Sequence, residues 1–133
     1  MERPRETAWH FGKVEWMVEI FKALSEESRL RILSLLLERE MCVCEIEASL
    51  KMTQPNASRH LAALKQCGIL DSFKKAQWTY YRVSDRFKEG HAALWEYLQQ
   101  NLKRLPSYKA DLEEYRKCGG QKLCDAISPQ RKH

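Results

Sequence analysis

The chain has 133 residues, which suffices for one domain with a hydrophobic core and is too few for two of ordinary size. Its 23 Lys and Arg against 18 Asp and Glu give a net charge of +5, which suits a polyanionic partner. No run of about 18 apolar residues is present, and the N-terminus lacks the apolar core of a secretion signal. We therefore expect a cytoplasmic protein without a membrane span. Phosphate-loop, Cys-x-x-Cys and nucleophile–base patterns are absent, so we do not expect an enzyme.

The first part of the chain predicts two helices. Apolar residues recur at helical spacing over residues 8–24, and Trp9 and Trp16 add apolar surface for the core or a partner subunit. Ser25 is the predicted N-cap of a second helix. Its run over residues 30–37 is apolar nearly all round, so this helix should lie at the centre of the core.

The middle of the chain predicts a helix-turn-helix. Residues 43–50 predict a short helix, and after a tight turn residues 53–67 predict a second helix with one apolar and one polar or basic face. Thr53 is suited to cap this second helix and Gly68 to end it. Taken alone the stretch also fits an ordinary surface helix. Its neighbours favour a helix that enters the DNA major groove.

The period then changes from helical to alternating. Residues 69–73 and 78–83 predict two strands joined by a basic turn, the arrangement of a winged helix, in which Ala76 lies where Gly would turn more easily. Ser84 is suited to cap a long helix over residues 85–104, and a short helix over residues 107–117 follows.

The predicted fold class is mostly α with a small β-hairpin. Four helices, the hairpin and a long last helix form a winged helix-turn-helix over residues 1–106, which should dimerise through its first and last helices. Residues 107–133 should form a short helix and a polar tail. Between residues 51 and 86 there are seven Lys and Arg and only two acids, so the basic excess lies on the predicted DNA-binding stretch.

Four segments carry a resemblance to a known family: residues 23–33, 41–46, 54–65 and 77–83. In this order and spacing they resemble the ArsR/SmtB family over roughly residues 8–105. The resemblance implies a dimeric repressor that leaves double-stranded operator DNA when a metal or metalloid ion binds. Ser58, Arg59 and His60 fall on the family's Ser-x-His signature. The expected DNA-contacting set is Thr53, Gln54, Asn56, Ala57, Ser58, Arg59, His60, Lys74, Lys75 and Gln77.

Cys42 and Cys44 form a possible ion site. Two positions apart on a formed helix, their side chains would diverge by roughly 200°, so one ion could not bind both. They can converge if the helix begins between them, and a helix N-terminus stabilises the thiolate that binds soft ions. Two buried structural cysteines are the alternative. The resemblance favours the sensor, because Cys-Val-Cys at this place is the family's thiol motif.

Two thiolates are few for a thiophilic ion, which usually takes three or four ligands. Glu47 lies where arsenic-sensing members often have a third cysteine, so Cys118 and Cys124 are further candidate ligands, from either subunit. The resemblance favours As(III) or Sb(III) as inducer, because cadmium and lead sensors add N-terminal cysteines that this chain lacks. Cd, Pb or Zn sensing, thiol oxidation and a structural zinc module joining the four cysteines are the alternatives. The family's Asp/His zinc site is not expected, which leaves His91 as a packed or dimer-seam residue and Cys67 as structural.

Overall fold

The computed structural model describes residues 15–118, so the predictions for residues 8–14 and for Cys124 lie outside the described residues. The elements in chain order are α1 (Glu15–Leu24), α2 (Glu27–Leu36), β1 (Met41–Cys42), α3 (Val43–Leu50), α4 (Gln54–Gln66), β2 (Leu70–Lys75), β3 (Trp78–Val83), α5 (Asp85–Gly90), α6 (Ala92–Asn101), a 3₁₀ turn (Leu102–Arg104) and α7 (Tyr108–Cys118).

Helix α2 lies at the centre of the core, as its composition predicts. Ile32, Leu33 and Leu35 are almost fully buried, and they share one cluster with Leu61 and Leu64 of α4. The predicted cap of α2 is wrong, because the Ser25 hydroxyl donates to the Lys22 carbonyl at 2.8 Å instead. The N-cap is Glu26, one residue later, and its side chain makes no capping hydrogen bond.

The helix-turn-helix is confirmed, and its ends have the predicted chemistry. Thr53 Oγ1 accepts the backbone N–H of Asn56 at 3.3 Å. At the other end of α4, Gly68 has φ +90, donates its N–H to the Lys65 carbonyl, and is followed by an Ile69 N–H bond to the Leu64 carbonyl. This pair of bonds is a Schellman motif, which satisfies the last carbonyls of the helix.

The sheet has three antiparallel strands in the order β1-β3-β2 rather than the two that the alternation predicts. The added strand, β1, has two residues and pairs Met41 with Tyr81 and Cys42 with Tyr80. A strand this short has no alternation to detect. The predicted hairpin is confirmed, and its two-residue turn places Ala76 in the left-handed region, at φ 59.

The predicted long last helix is interrupted. Residues 85–104 form α5, α6 and a 3₁₀ turn, because His91 leaves helical geometry at φ −131 and ψ 53. Gly90, a weak helix former, precedes the break. The His91 ring lies 5.0 Å from the Trp16 ring and 5.4 Å from the Phe87 ring, measured between centroids. The interpretation of His91 as a packed residue is therefore confirmed.

Helix α7 packs against α2 and α3. Asp111 on α7 is buried and accepts two hydrogen bonds from Arg31 of α2, at 2.9 and 2.7 Å. This bidentate pair raises the pKa of Arg31. Tyr108 donates to Glu38 at 2.8 Å, and burial together with that carboxylate raises the pKa of Tyr108 to about 12. The prediction of a short helix after residue 106 is confirmed.

Gly68→Ala should destabilise the protein through its backbone alone. A Cβ at this position would meet no atom within 4 Å, so the loss comes from the left-handed conformation, which costs about 1–2 kcal/mol for a residue with a Cβ. Urea unfolding followed by circular dichroism measures the change. Gly68→Asn is the matched control and should lose less, because Asn tolerates this region. Equal stability of Gly68→Ala and wild type would contradict the assignment.

Candidate DNA interface and thiol site

The exposed face of α4 carries polar side chains that hydrogen-bond one another. Gln54 Nε2 donates to Ser58 Oγ at 2.6 Å, and Arg59 Nη2 donates to Asn56 Oδ1 at 3.1 Å. Four of the ten residues predicted to contact DNA therefore lie on one solvent-facing surface. Thr53 is also exposed, at the start of the helix.

Two members of the predicted set do not lie on this surface. The side chains of Ala57 and His60 are 0% and 4% exposed, so they face the core rather than this surface. His60 Nδ1 accepts a hydrogen bond from Arg29 Nε of α2 at 3.1 Å. Burial, and then the positive charges of Arg59 and Arg29, lower the pKa of His60. His60 therefore anchors α4 to the core as a neutral imidazole.

The β2–β3 hairpin adds positive charge beside α4. Lys74 and Lys75 are exposed near its tip, and Gln77 in the turn is half-buried. The Lys75 ammonium lies over the Tyr80 ring, 5.4 Å from its centroid. Lys65 of α4 donates to Ser72 of β2 at 2.7 Å. This last contact fixes the hairpin to the helix, and the sequence pattern did not single it out.

The thiols of Cys42 and Cys44 converge. Their sulfur atoms are 2.6 Å apart, and neither residue forms a disulfide. Cys42 is the N-cap of α3 and has extended backbone geometry, whereas Cys44 lies in the first turn. The predicted condition for convergence, a helix that begins between the two residues, is therefore confirmed. Both side chains are buried, at 1% and 4% exposure.

The Glu45 carboxylate holds this corner in place. It accepts the backbone N–H of Cys42 at 2.8 Å, which satisfies a donor at the start of α3, and it is 4% exposed. Its spacing three residues after the N-cap was a detectable signal for a capping carboxylate.

The thiol pair borders both α4 and the β2–β3 hairpin. Cys42 and Cys44 pack with Trp78 and Tyr80 of β3. A cleft of about 150 Å³ opens beside the two sulfurs and is lined by Val43, Gln54, Trp78, Thr79 and Tyr81. Gln54 is the first residue of α4. The thiol pair and the first turn of α4 thus share one small cleft, which no motif in the sequence indicated.

Within the described residues the structure does not bring Cys118 to the pair, and Cys124 lies outside them. Among residues 15–118 no group of three or more His, Cys, Asp or Glu residues could hold a metal ion. Cys118 is half-buried at the end of α7, and burial followed by the charges of Glu114 and Glu45 raises the pKa of its thiol. Cys67 donates to the Leu64 carbonyl at 3.5 Å, and burial raises the pKa of its thiol.

Apolar side chains remain exposed on two helices. Met17, Val18 and Phe21 of α1 are 41%, 45% and 54% exposed, and Tyr97 of α6 is 61% exposed. Within residues 15–118 no helix is long and apolar enough to cross a membrane.

A helix-turn-helix followed by an antiparallel hairpin defines a winged helix-turn-helix protein, the class that places its second helix in DNA. Residues 26–72 match the model of the arsR family of bacterial regulatory proteins. The chain belongs to this family, whose members are transcriptional regulators rather than enzymes.

Relatives and solved structures agree with this assignment. The chain is 40% identical over 89 residues to the arsenic resistance transcriptional regulator ArsR2 of Pseudomonas putida, covering 65% of this chain and 77% of the relative. It is 49% identical over 79 residues to an uncharacterised helix-turn-helix regulator of Methanocaldococcus jannaschii, covering 58% and 89%. The match to ArsR1 of P. putida, 46% over 65 residues, covers 48% of this chain and about half, 51%, of that relative.

The fold is shared with a homodimeric winged helix-turn-helix domain from Mycobacterium bovis, described as a possible ArsR-family regulator. The TM-score is 0.58 and the identity 26%, covering 76% of this chain and 92% of that one.

His60→Gln should flatten the pH dependence of stability. Because the folded-state pKa of His60 is lowered from 6.5, the unfolded chain binds the proton first, and stability present above 6.5 is lost as the pH falls from 6.5 through the lower folded-state pKa. Gln can still accept from Arg29 but does not titrate. Urea unfolding at about pH 7.5 and about pH 5.5 measures the difference. His91→Gln should remove a separate part of the pH dependence of stability, because burial also lowers the pKa of His91. An unchanged slope in His60→Gln would contradict the neutral anchor.

Proposed function

We propose that the protein is a homodimeric transcriptional repressor that binds operator DNA through α4 and the β2–β3 hairpin and is released by As(III) or Sb(III) at Cys42 and Cys44. The observation that carries the proposal is the convergence of two buried thiols at the start of α3, beside the first residue of α4. Ion binding and DNA binding would then involve the same few residues.

The DNA-binding role rests on the division of the surface into two kinds of contact. Gln54, Asn56 and Arg59 are short or forked donors and acceptors on the exposed face of α4, which suits base edges in the major groove. Lys74 and Lys75 on the hairpin suit the phosphate backbone, whose contacts set position and salt dependence.

The release mechanism follows from what the thiols touch. An ion bonded to both sulfurs would move Cys42, whose N–H is held by Glu45 and whose backbone pairs with Tyr80. It would also occupy space beside Gln54. Movement of Cys42 therefore reaches the hairpin through β1–β3 pairing, and crowding of the cleft reaches α4. Both halves of the DNA-facing surface shift together.

Dimerisation rests on the exposed apolar residues of α1 and α6. Four large apolar side chains on these helices are exposed to solvent: Met17, Val18, Phe21 and Tyr97. Exposed apolar surface of this kind favours contact with a partner subunit. The M. bovis neighbour is described as homodimeric. A twofold dimer would present two α4 helices to the two halves of a symmetric operator.

The choice of ion rests on chemistry and on the relatives. As(III) is strongly thiophilic, and two P. putida relatives are named as arsenic resistance regulators. A cadmium-resistance regulator of Listeria innocua is 39% identical over 66 residues, so a cadmium response is the alternative for the same thiols. A structural zinc module is the least supported, because among residues 15–118 Cys118 does not join the pair in a cluster.

Cys42→Ser should retain operator binding and lose release by arsenite. Serine keeps the shape of the corner but cannot form the arsenic–sulfur bond. Fluorescence anisotropy of labelled operator DNA, titrated separately with arsenite, antimonite and cadmium, measures release. Cys67→Ser is the matched control, a half-buried cysteine away from the cleft, and should respond as wild type does. Release of Cys42→Ser and Cys44→Ser at the wild-type arsenite concentration would refute the sensor assignment.

Arg59→Ala and Lys75→Ala should weaken DNA binding in different ways. Arg59→Ala should reduce operator affinity by about 1–3 kcal/mol more than affinity for unrelated DNA, because it removes a base contact. Lys75→Ala should weaken both equally and lower the slope of log affinity against log salt by about one. Equal losses on both DNAs for Arg59→Ala would remove it from base readout.

A further inference from the structure

We propose that helix α7 holds the turn between α3 and α4 in the conformation that binds DNA, and that Arg31 and Asp111 are the positioning residues that fix α7 for this role. The inference rests on the proposed function, because it concerns how the DNA-binding helix is presented. Helix α7 lies beyond residues 26–72, the part of the chain that matches the family model.

The turn between α3 and α4 contains a residue in a costly backbone conformation. Lys51 has φ 57 and ψ 46, in the left-handed region, although it carries a side chain. In this geometry the N–H groups of Lys51 and Met52 both donate to the Glu47 carbonyl, and α4 starts directly afterwards at its N-cap, Thr53. A conformation of this kind persists only where the surrounding structure holds it. The elements packed around the turn therefore determine how α4 is presented.

Helix α7 is one of these elements. It packs against α3, and Glu114 Oε2 lies 3.8 Å from Lys51 Nζ. The Lys51 side chain is 76% exposed, so this ion pair alone contributes little to stability. Leu112 and Tyr115 of α7 pack against the core cluster that includes Leu50, the last residue of α3. The packing of α7 on α3, with the ion pair in addition, supports the turn from one side.

The pair of Arg31 and Asp111 fixes α7 in this place. Nε and Nη2 of Arg31, on α2, donate to the two carboxylate oxygens of Asp111 at 2.9 and 2.7 Å. Two parallel bonds fix the orientation of the partners as well as their distance. Asp111 is 4% exposed, and a buried charge that loses its partner is strongly destabilised. Weakening the pair should therefore let α7 move away from α3, and the fraction of molecules with a binding-competent turn should fall. The apparent affinity for DNA falls with that fraction.

The test uses the full chain and a labelled duplex that the wild-type protein selects from a random-sequence pool. Asp111→Asn removes a negative charge, which by electrostatics alone would strengthen binding to DNA. We expect the opposite, a loss of affinity of about fivefold or more by fluorescence anisotropy, because the competent turn is less populated. Glu113→Gln is the matched control, since it removes the same charge from the exposed face of α7, and its affinity should not fall. Arg31→Lys keeps the charge but not the two parallel bonds, and it should also weaken binding.

Amide hydrogen exchange examines the turn itself. In Asp111→Asn without DNA, exchange should become faster along α7 and also at Lys51 and Met52, whose N–H groups are bonded to Glu47. Binding of the selected duplex to wild type should in turn slow exchange along α7, because coupling between two equilibria is reciprocal. A pair that only stabilises the fold would change neither the exchange at the turn nor the affinity of the folded protein.

The outcomes separate the inference from the proposed function. Unchanged DNA affinity in both Asp111→Asn and Arg31→Lys, with lower stability in urea, overturns the inference, and so does faster exchange confined to α7. If Asp111→Asn does not fold, Arg31→Lys and the protection of α7 by DNA in wild type decide, and the absence of both effects overturns the inference. Failure of wild type to select any duplex overturns the proposed function instead, and exchange at the turn in the free variants then shows whether α7 holds it.

Discussion

The pairing of Cys42 with Tyr80 is the constraint on which the rest of the site depends. It ties the start of α3 to the central strand of the sheet, so that Cys42 is at once a strand residue, the N-cap of a helix and a thiol. Because its backbone is extended, its sulfur can meet that of Cys44. Glu45 then satisfies the N–H that this geometry leaves without a helical partner.

The polar side chains of α4 fall into two groups, those that hold the helix in place and those on its exposed face. His60 is the only one of the predicted DNA-facing polar residues that turns inward among those the structure describes, and Arg29 holds it there. Lys65 faces sideways and fixes the hairpin through Ser72. The hydrogen bonds of His60 and Lys65 therefore orient α4, and neither of them uses its outer face.

Local chemistry made much of the fold predictable. Thr53 and Gly68 mark the ends of α4 because capping depends on residues adjacent to the helix, and the change to alternation marks the hairpin. Convergence of the thiols was also predictable, since it follows from where one helix starts. The long-range features were not. Arg31 and Asp111 are 80 residues apart, β1 is two residues long, and the His91 ring at the helix break packs against Trp16 and Phe87.

Burial separates two members of the expected DNA-contacting set from the others. Ala57 and His60 lie in a signature that includes exposed neighbours, and a linear motif does not distinguish the inward side of a helix from the outward side. The cleft could not be predicted from the sequence, because residues of three separate elements, α3, α4 and β3, line it.

The two hydrogen bonds on the outer face of α4 have a consequence for selectivity. In the protein without DNA, Gln54 is hydrogen-bonded to Ser58 and Arg59 to Asn56, so each of these four side chains already has a hydrogen-bond partner. Under the proposed function, binding to DNA replaces each of these internal hydrogen bonds with a hydrogen bond to a base edge. A matching base edge restores the lost hydrogen bonds, whereas a mismatched one leaves them unmade. The internal hydrogen bonds of the unbound helix would therefore contribute to discrimination against a wrong sequence.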